Sequence, residues 1–214
     1  YCMFLGAQNF NQPIGSWNVG SVTTMNGMFR DAKIFDQDIG DWNVSQVTDM
    51  QQMFLNATAF NQDIGNWDVG KVTKMDYMFY GAKSFDQNIT NWNTSQVGSM
   101  HRMFYGAVVF NQNISSWDVG NVRDMSQMFR MATSFSQDLG SWNVRNVTTM
   151  SGMFTYVSLS TQHYDNILIG WASLPVQNNV EFDVGMTKFS AGQAAVARET
   201  LIGKGWVIRD GGQQ

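Results

Sequence analysis

A catalytic reading of this chain would have to begin with its two histidines and one cysteine. His101 and His163 are the only histidines, and neither stands beside a recognisable nucleophile or metal-binding motif. His101 takes a position held in other repeats by Asn26, Gln51, Asp76 and Ser126, so it reads as a surface substitution, and His163 lies in the non-repeating tail. Cys2 is alone, which excludes an internal disulfide and a cysteine zinc site. Oxygen ligands are plentiful, yet no loop carries a calcium-binding motif. The expectation is a non-enzymatic protein with no catalytic residue, no metal site and no cofactor.

The elements that must position any binding residue come from a repeat. Met-Phe pairs stand at Met3-Phe4, Met28-Phe29, Met53-Phe54, Met78-Phe79, Met103-Phe104, Met128-Phe129 and Met153-Phe154, a period of 25 residues. Trp17, Trp42, Trp67, Trp92, Trp117 and Trp142 keep the same interval. A period of this length marks a solenoid whose coils bury their apolar faces against each other. Met25, Met28, Phe29 and Ala32 are spaced i, i+3, i+4, i+7, which predicts a short helix of about two turns. Thr24, Asp49, Ser99, Asp124 and Thr149 precede that segment as candidate N-caps. Ile14, Trp17, Val19 and Val22 alternate as a strand would, and stacked strands would form a parallel sheet with a spacing of roughly 4.8 Å. The complete column Gln12, Gln37, Gln62, Gln87, Gln112, Gln137 reads as amides bonding backbone groups of neighbouring coils.

From about Leu159 the repeat is lost. Thr161 is expected to cap a helix through Tyr164, Ile167, Leu168 and Trp171, broken at Leu174-Pro175. Ser190 to Gln193 reads as a capping box opening a second helix that Gly203 stops, with a strand at Trp206-Val207-Ile208. Residues 1–157 are therefore read as the repeat array, about six and a half coils, and 158–214 as a C-terminal α/β cap. Tyr1 falls at the repeat position of Asn26, so the chain is expected to be part of a longer one.

Thirteen Lys and Arg against 17 Asp and Glu leave a net charge of −4, with no basic run or stripe. Nucleic acid and anionic membranes are poor partners for such a surface. No apolar stretch is long enough to span a bilayer.

The spacing Ile-x-x-Trp-x-Val-x-x-Val resembles the leucine-rich-repeat core, with Trp at one Leu position. The longer unit, Val-Thr-x-Met-x-x-Met-Phe-x-x-Ala-x-x-Phe-Asn-Gln-x-Ile-x-x-Trp-Asp-Val, is similar to the BspA-like bacterial surface-protein leucine-rich repeats, of the kind found in mycoplasma lipoproteins, Listeria and marine bacterial surface proteins. The resemblance covers residues 1 to about 157 and implies a right-handed α/β leucine-rich-repeat-type solenoid with a parallel sheet and short helices. It also implies an extracellular or cell-surface setting and a binding or adhesion role, without a catalytic motif. The Asn of the standard repeat is replaced by Val22, Val47, Val72, Val97, Val122 and Val147, so its usual ladder is in doubt and the Gln column is the candidate replacement.

On a leucine-rich scaffold the residues flanking the Trp column face the concave surface. Asp41, Asn43, Asn66, Asp68, Asn91, Asn93, Asp118 and Asn143 are the candidate ligand-binding residues there, since closely spaced amides and carboxylates suit sugar hydroxyls. Leu55, Tyr80 and Tyr105 share another repeat position and, with Tyr77, form a candidate partner patch. The expected partner is a protein or a glycan. Two alternatives stay open: a structural spacer, and an ice- or crystal-binding surface. The best threonine column for the latter is interrupted at Gly98 and Arg123.

Overall fold

The structure, a computed structural model, describes residues 2–214; Tyr1, whose repeat position bears on where the array opens, lies outside them. Each repeat lies in parallel on the next. Thr24, Asp49, Lys74, Ser99, Asp124 and Thr149 form one continuous line of parallel bridges, a single residue per coil. Backbone bonds around this line run in both directions. Thr48 N–H donates to the Thr23 carbonyl at 2.9 Å, and Met25 N–H to the Asp49 carbonyl at 2.9 Å.

The two-turn helix expected over residues 25–32 is not there. Met28, Arg30 and Ala32 donate to the carbonyls of Met25, Gly27 and Phe29, three residues back, as turns do. The intervening N–H groups, of Gly27, Phe29 and Asp31, leave the coil and bond the carbonyls of Gln51, Met53 and Leu55 in the next one. A helix cannot form because two positions per coil have positive φ: one held by Gly27, Gln52, Tyr77, Arg102, Gln127 and Gly152, the other by Asp31, Asn56, Gly81, Gly106, Met131 and Tyr156. A residue with φ near +60° is the third residue of a type II turn. Met25, Met28, Phe29 and Ala32 are still all buried, so the helical spacing identified core residues while misreading their backbone. The candidate N-caps serve turns instead: Thr24 Oγ1 accepts from Asn26 N–H at 3.3 Å, and Asp49 Oδ1 from Gln51 N–H at 2.9 Å.

The sheet expected along the Trp-x-Val segment is likewise reduced. Trp42 and Val47 donate to Ile39 and Val44 in turns, and the pairing between coils falls on the bridge line that follows. Alternation survives only as burial, with Trp42 and Val44 inside and Asn43 outside.

Aromatic rings fill the centre. Phe29 stacks on Phe35 of its own coil at 4.0 Å and on Phe54 of the next at 5.7 Å, and Trp42 lies 6.0 Å from Phe29. The same triple recurs through Phe129, Phe135 and the rest of the array. Burial of each Phe contributes about 1.5–3 kcal/mol. The indole N–H groups are satisfied as well: Trp42, Trp67, Trp92, Trp117 and Trp142 donate to the carbonyls of Ile14, Ile39, Ile64, Ile89 and Ile114 in the preceding coil, at 3.0–3.2 Å. Trp17, in the first coil, is 42% exposed where Trp42 is 3%.

A polar ladder holds one corner. The side-chain oxygens of Asn11, Asp36, Asn61, Asp86 and Asn111 accept the backbone N–H of Asp36, Asn61, Asp86, Asn111 and Ser136, each 25 residues on. The neighbouring amides of Gln87, Gln112 and Gln137 donate to carbonyls of the preceding coil at 2.9 Å. Asn and Asp are interchangeable here because only an acceptor oxygen is required.

The tail continues the stack rather than merely covering it. Helix α1 (Thr161–Ala172) is capped by Ser160, whose hydroxyl accepts from His163 N–H, not by Thr161. Trp171 on α1 donates to the Leu139 carbonyl at 3.0 Å, the bond made by every buried Trp of the array. Strand β1 (Glu181–Asp183) receives the bridge line from Met150 and pairs in parallel with β2 (Val207–Arg209). Helix α2 (Gln193–Gly203) packs on α1; its N-terminus is Gly192 at φ +81°, with no side-chain cap, so the expected capping box does not form. No helix among the described residues is long and apolar enough to cross a membrane.

Three side chains tie this tail together. Tyr164 O–H donates to Asp210 Oδ2 at 2.8 Å, and Arg198 Nε donates to the same oxygen at 2.8 Å. Burial, and then the Asp210 carboxylate, push the Tyr164 phenol well above the usual tyrosine range. Burial pulls the Arg198 guanidinium down, but its hydrogen bond to Asp210 and the nearby negative charges, Asp210 foremost, together outweigh that and the net shift is upward.

Two outcomes follow from this backbone and this clamp. A Cβ on Gly106 would meet nothing closer than the Gly81 Cα at 3.9 Å, so Gly106→Ala tests the φ of +67° alone. It should lower stability by about 1 kcal/mol, while Met131→Gly, in the same column, should raise it by up to about 1 kcal/mol. Urea midpoints unchanged in both would contradict the left-handed turn. For Tyr164, the folded state keeps a proton that the unfolded state releases. That stability is complete below about pH 10 and declines as the pH rises above it, by up to about 1.4 kcal/mol per unit. Urea midpoints measured across this alkaline range should fall less steeply in Tyr164→Phe than in the wild type.

Candidate functional site

Two surfaces were expected to carry function, and the structure treats them differently. Asp41, Asn43, Asn66, Asp68, Asn91, Asn93 and Asp118 are exposed and Asn143 is half-buried, in two columns flanking the buried tryptophans. The second column is engaged in its own corners. The Oδ1 atoms of Asn43, Asp68, Asn93 and Asp118 accept the backbone N–H of Ser45, Gly70, Ser95 and Gly120 at 2.9–3.2 Å. Asn143 does the same for Arg145 at 3.4 Å. These are Asx turns, in which a side-chain oxygen replaces a backbone acceptor two residues away. The threonine column is also occupied: Thr48 and Thr73 donate to the carbonyls of Thr23 and Thr48 at 3.2 Å.

The tyrosine patch is more than a cluster of apolar groups. Tyr80 stacks on Tyr105 of the next coil with ring centres 4.6 Å apart and planes 13° from parallel. Tyr77 lies 6.0 Å from Tyr80. Leu55 is half-buried one coil earlier in the column of Tyr80 and Tyr105. Arg102 completes the group, its guanidinium 5.7 Å from the Tyr77 ring centre and 6.0 Å from that of Tyr105. Its Nε donates to Gln127 Oε1 at 3.0 Å, which fixes the plane over the two rings. Tyr77 and Arg102 both occupy the positive-φ column, at +59° and +52°. The turn therefore aims both side chains at one place.

His101 joins the patch to a polar line behind it. Ser126 Oγ donates to Asp124 Oδ1, since a carboxylate can only accept. His101 Nδ1, 2.7 Å from Ser126 Oγ, must then be the donor in that pair. Nε2 is left as the acceptor for the Tyr77 hydroxyl at 3.0 Å. The line runs in one direction, from phenol through imidazole and hydroxyl to carboxylate. The His101 backbone N–H is held by Asp76 Oδ1 at 3.2 Å; Asp76 is buried and also accepts from Gln51 Nε2 at 2.8 Å and from the Ser99 hydroxyl.

Sequence reasoning placed Tyr77, Tyr80 and Tyr105 in this patch and missed His101 and Arg102. His101 looked like a substitution because its column is polar and variable. The available signal was adjacency: Tyr77 and Arg102 share a column, and His101 precedes Arg102.

The family model described as a Mycoplasma protein of unknown function, DUF285, matches residues 1–89 and again 62–167. No curated protein and no solved structure matches the chain.

The directed line can be checked by nitrogen-detected NMR of the His101 ring. Wild-type protein should show the proton on Nδ1 and a bare Nε2. Tyr77→Phe should shift Nε2 while leaving the tautomer unchanged, and Ser126→Ala should remove the preference for Nδ1–H. A wild-type ring protonated on Nε2 alone would reverse the line.

Proposed function

The chain belongs to the DUF285 family, and we propose that this member is a non-enzymatic binding or adhesion module that engages a protein partner through its tyrosine–arginine patch. In this reading the stacked repeats are a right-handed solenoid of the leucine-rich type, of the BspA-like kind, closed by residues 158–214. The setting is the cell surface or the extracellular space.

The observation that carries the reading is the stacked Tyr80–Tyr105 pair with the Arg102 guanidinium held across Tyr77 and Tyr105. Tyrosine and arginine are the residue types most enriched among the few that dominate protein interfaces. Tyrosine supplies large contact area with few rotatable bonds, and the coil-to-coil stacking removes much of the freedom that binding would otherwise cost. The Asn and Asp columns support a glycan-binding face less well, since one oxygen, Oδ1, of each of Asn43, Asp68, Asn93 and Asp118 already serves its own turn.

The deciding experiment is a screen of purified cell-surface ectodomains and of glycans, run on three proteins: wild type, Tyr105→Ala, and Asn43→Ala/Asp68→Ala/Asn93→Ala. The proposal expects an ectodomain whose affinity falls at least about tenfold in Tyr105→Ala, a change of about 1.4 kcal/mol, and holds in the triple variant. The opposite pattern would move function to the polar face. Absence of binding to any member of either set would leave the array as a spacer.

A further inference from the structure

The face that carries the tyrosines is basic on a chain whose net charge is −4. Its middle column reads Arg30, Leu55, Tyr80, Tyr105, Arg130 in successive coils, apolar at the centre and basic at both ends. The two positive-φ columns beside it add Arg102 and, as their one acid, Asp31. Side-chain contacts tie the three columns into one surface. Arg102 bridges the Tyr77 and Tyr105 rings, and the Arg130 guanidinium lies 5.2 Å from the ring centre of Tyr156 in the following coil. Other carboxylates, such as Asp36, Asp38 and Asp41, stand on a different stretch of the coil.

The three arginines differ in what already answers them. Arg30 pairs with Asp31 at 3.4 Å and donates through Nη1 to Gln52 Oε1 at 2.6 Å. Arg102 spends only its Nε, on Gln127. Arg130 has no side-chain hydrogen bond among the described residues, and neither it nor Arg102 forms a salt bridge there. The side-chain nitrogens closed off from solvent without a hydrogen-bond partner are Arg30 Nε and His163 Nδ1. The unbonded guanidinium nitrogens of Arg102 and Arg130 therefore open to solvent. A guanidinium seated against an aromatic ring keeps its edge N–H groups for a carboxylate, which it can meet with two parallel bonds.

We propose that the segment seated on this face is an acidic stretch of a protein, with carboxylates on either side of an apolar side chain that packs on Tyr80 and Tyr105. This rests on the reading of the patch as a protein-binding surface and names the chemistry of its partner. Tyr105 stands between the two free cations: Arg102 shares its coil, and Arg130 follows it in the next. From the coil of Tyr80 to that of Tyr156 is three steps of roughly 4.8 Å, the reach of about four extended residues. Nucleic acid would call for a basic stripe, whereas here single cations bracket an apolar centre. The negative charge elsewhere on the chain is screened beyond about 8–10 Å at physiological salt, so the local cations govern what docks.

The probes are three eight-residue peptides with blocked ends, each carrying Leu and Phe at its centre and Glu, Gln or Lys at its outer positions. A heparin fragment serves as a polyanion without an apolar anchor. Each is titrated into the whole chain. The Glu peptide should bind with a Kd in the millimolar range or below, at least about tenfold tighter than the Gln peptide, and this advantage should shrink as salt is raised. Arg102→Gln and Arg130→Gln should each cut the advantage at least about threefold, while Arg130→Lys retains most of it. Tyr105→Ala should weaken the Glu and Gln peptides alike, and every variant should melt as cooperatively as the wild type. The inference is overturned if no peptide binds, if Glu and Gln peptides bind equally, or if heparin binds more tightly than the Glu peptide. Binding that is lost in Tyr105→Ala but unchanged in both arginine-to-glutamine variants would overturn the acidic partner and keep the patch. Binding unchanged in Tyr105→Ala would overturn the patch itself.

Discussion

The structure depends on how the peptide groups of one segment divide their hydrogen bonds. Between residues 25 and 32, and at the equivalent positions of the repeats up to residue 132, alternate N–H groups close turns within the coil while the others cross to the next coil. Carbonyls divide the same way, so this buried stretch of backbone is satisfied without a helix or an extended strand. The crossing bonds fix the register between coils. A repeat one residue longer or shorter would send turn-forming groups toward the neighbour and put Met and Phe on the wrong side.

That division explains features that look unrelated. Crossing bonds stack identical residues, so each column needs side chains that pack on copies of themselves: flat rings in the core, and paired acceptors and donors at the Asn/Asp and Gln corner. The same segment requires two left-handed residues per coil, and most of them are not glycine. Tyr77 and Arg102 stand at one of these positions, so the tyrosine–arginine patch is built on turns the scaffold needs anyway. Backbone strain that costs about 1 kcal/mol per position is offset by packing on both sides and leaves side chains aimed outward.

The array was legible in the sequence because its period is unbroken, and the core columns could be named from it. The secondary structure was not. The spacing of Met25, Met28, Phe29 and Ala32 suits a helix, yet linked turns give the same inward face. Asp31, Asn56, Gly81 and Gly106, all tolerant of positive φ, marked the turn in four coils. Gln52, Tyr77, Arg102 and Gln127 carried no such mark, because their conformation is imposed by the neighbouring coils. The Asn/Asp ladder was hidden for a simpler reason: alternation between two residue types looked like variation, although one acceptor oxygen is common to both. In the site, Tyr80 and Tyr105 could be grouped by column and Tyr77 by its nearness in sequence, whereas His101 and Arg102 joined them only once the coils were seated.

The bonds between coils point along the direction in which coils are added, and this bears on how the molecule carries force. A tensile load between the first coil and the tail passes through each coil-to-coil interface in series, and within an interface the bridge line, the turn ladder and the Trp N–H bond resist together. Yielding of one interface frees one coil and leaves the others paired. Twenty-five residues paid out at roughly 3.3–3.6 Å each lengthen the chain by about 85 Å. A tethered array of this design would extend in equal steps under tension rather than break at once.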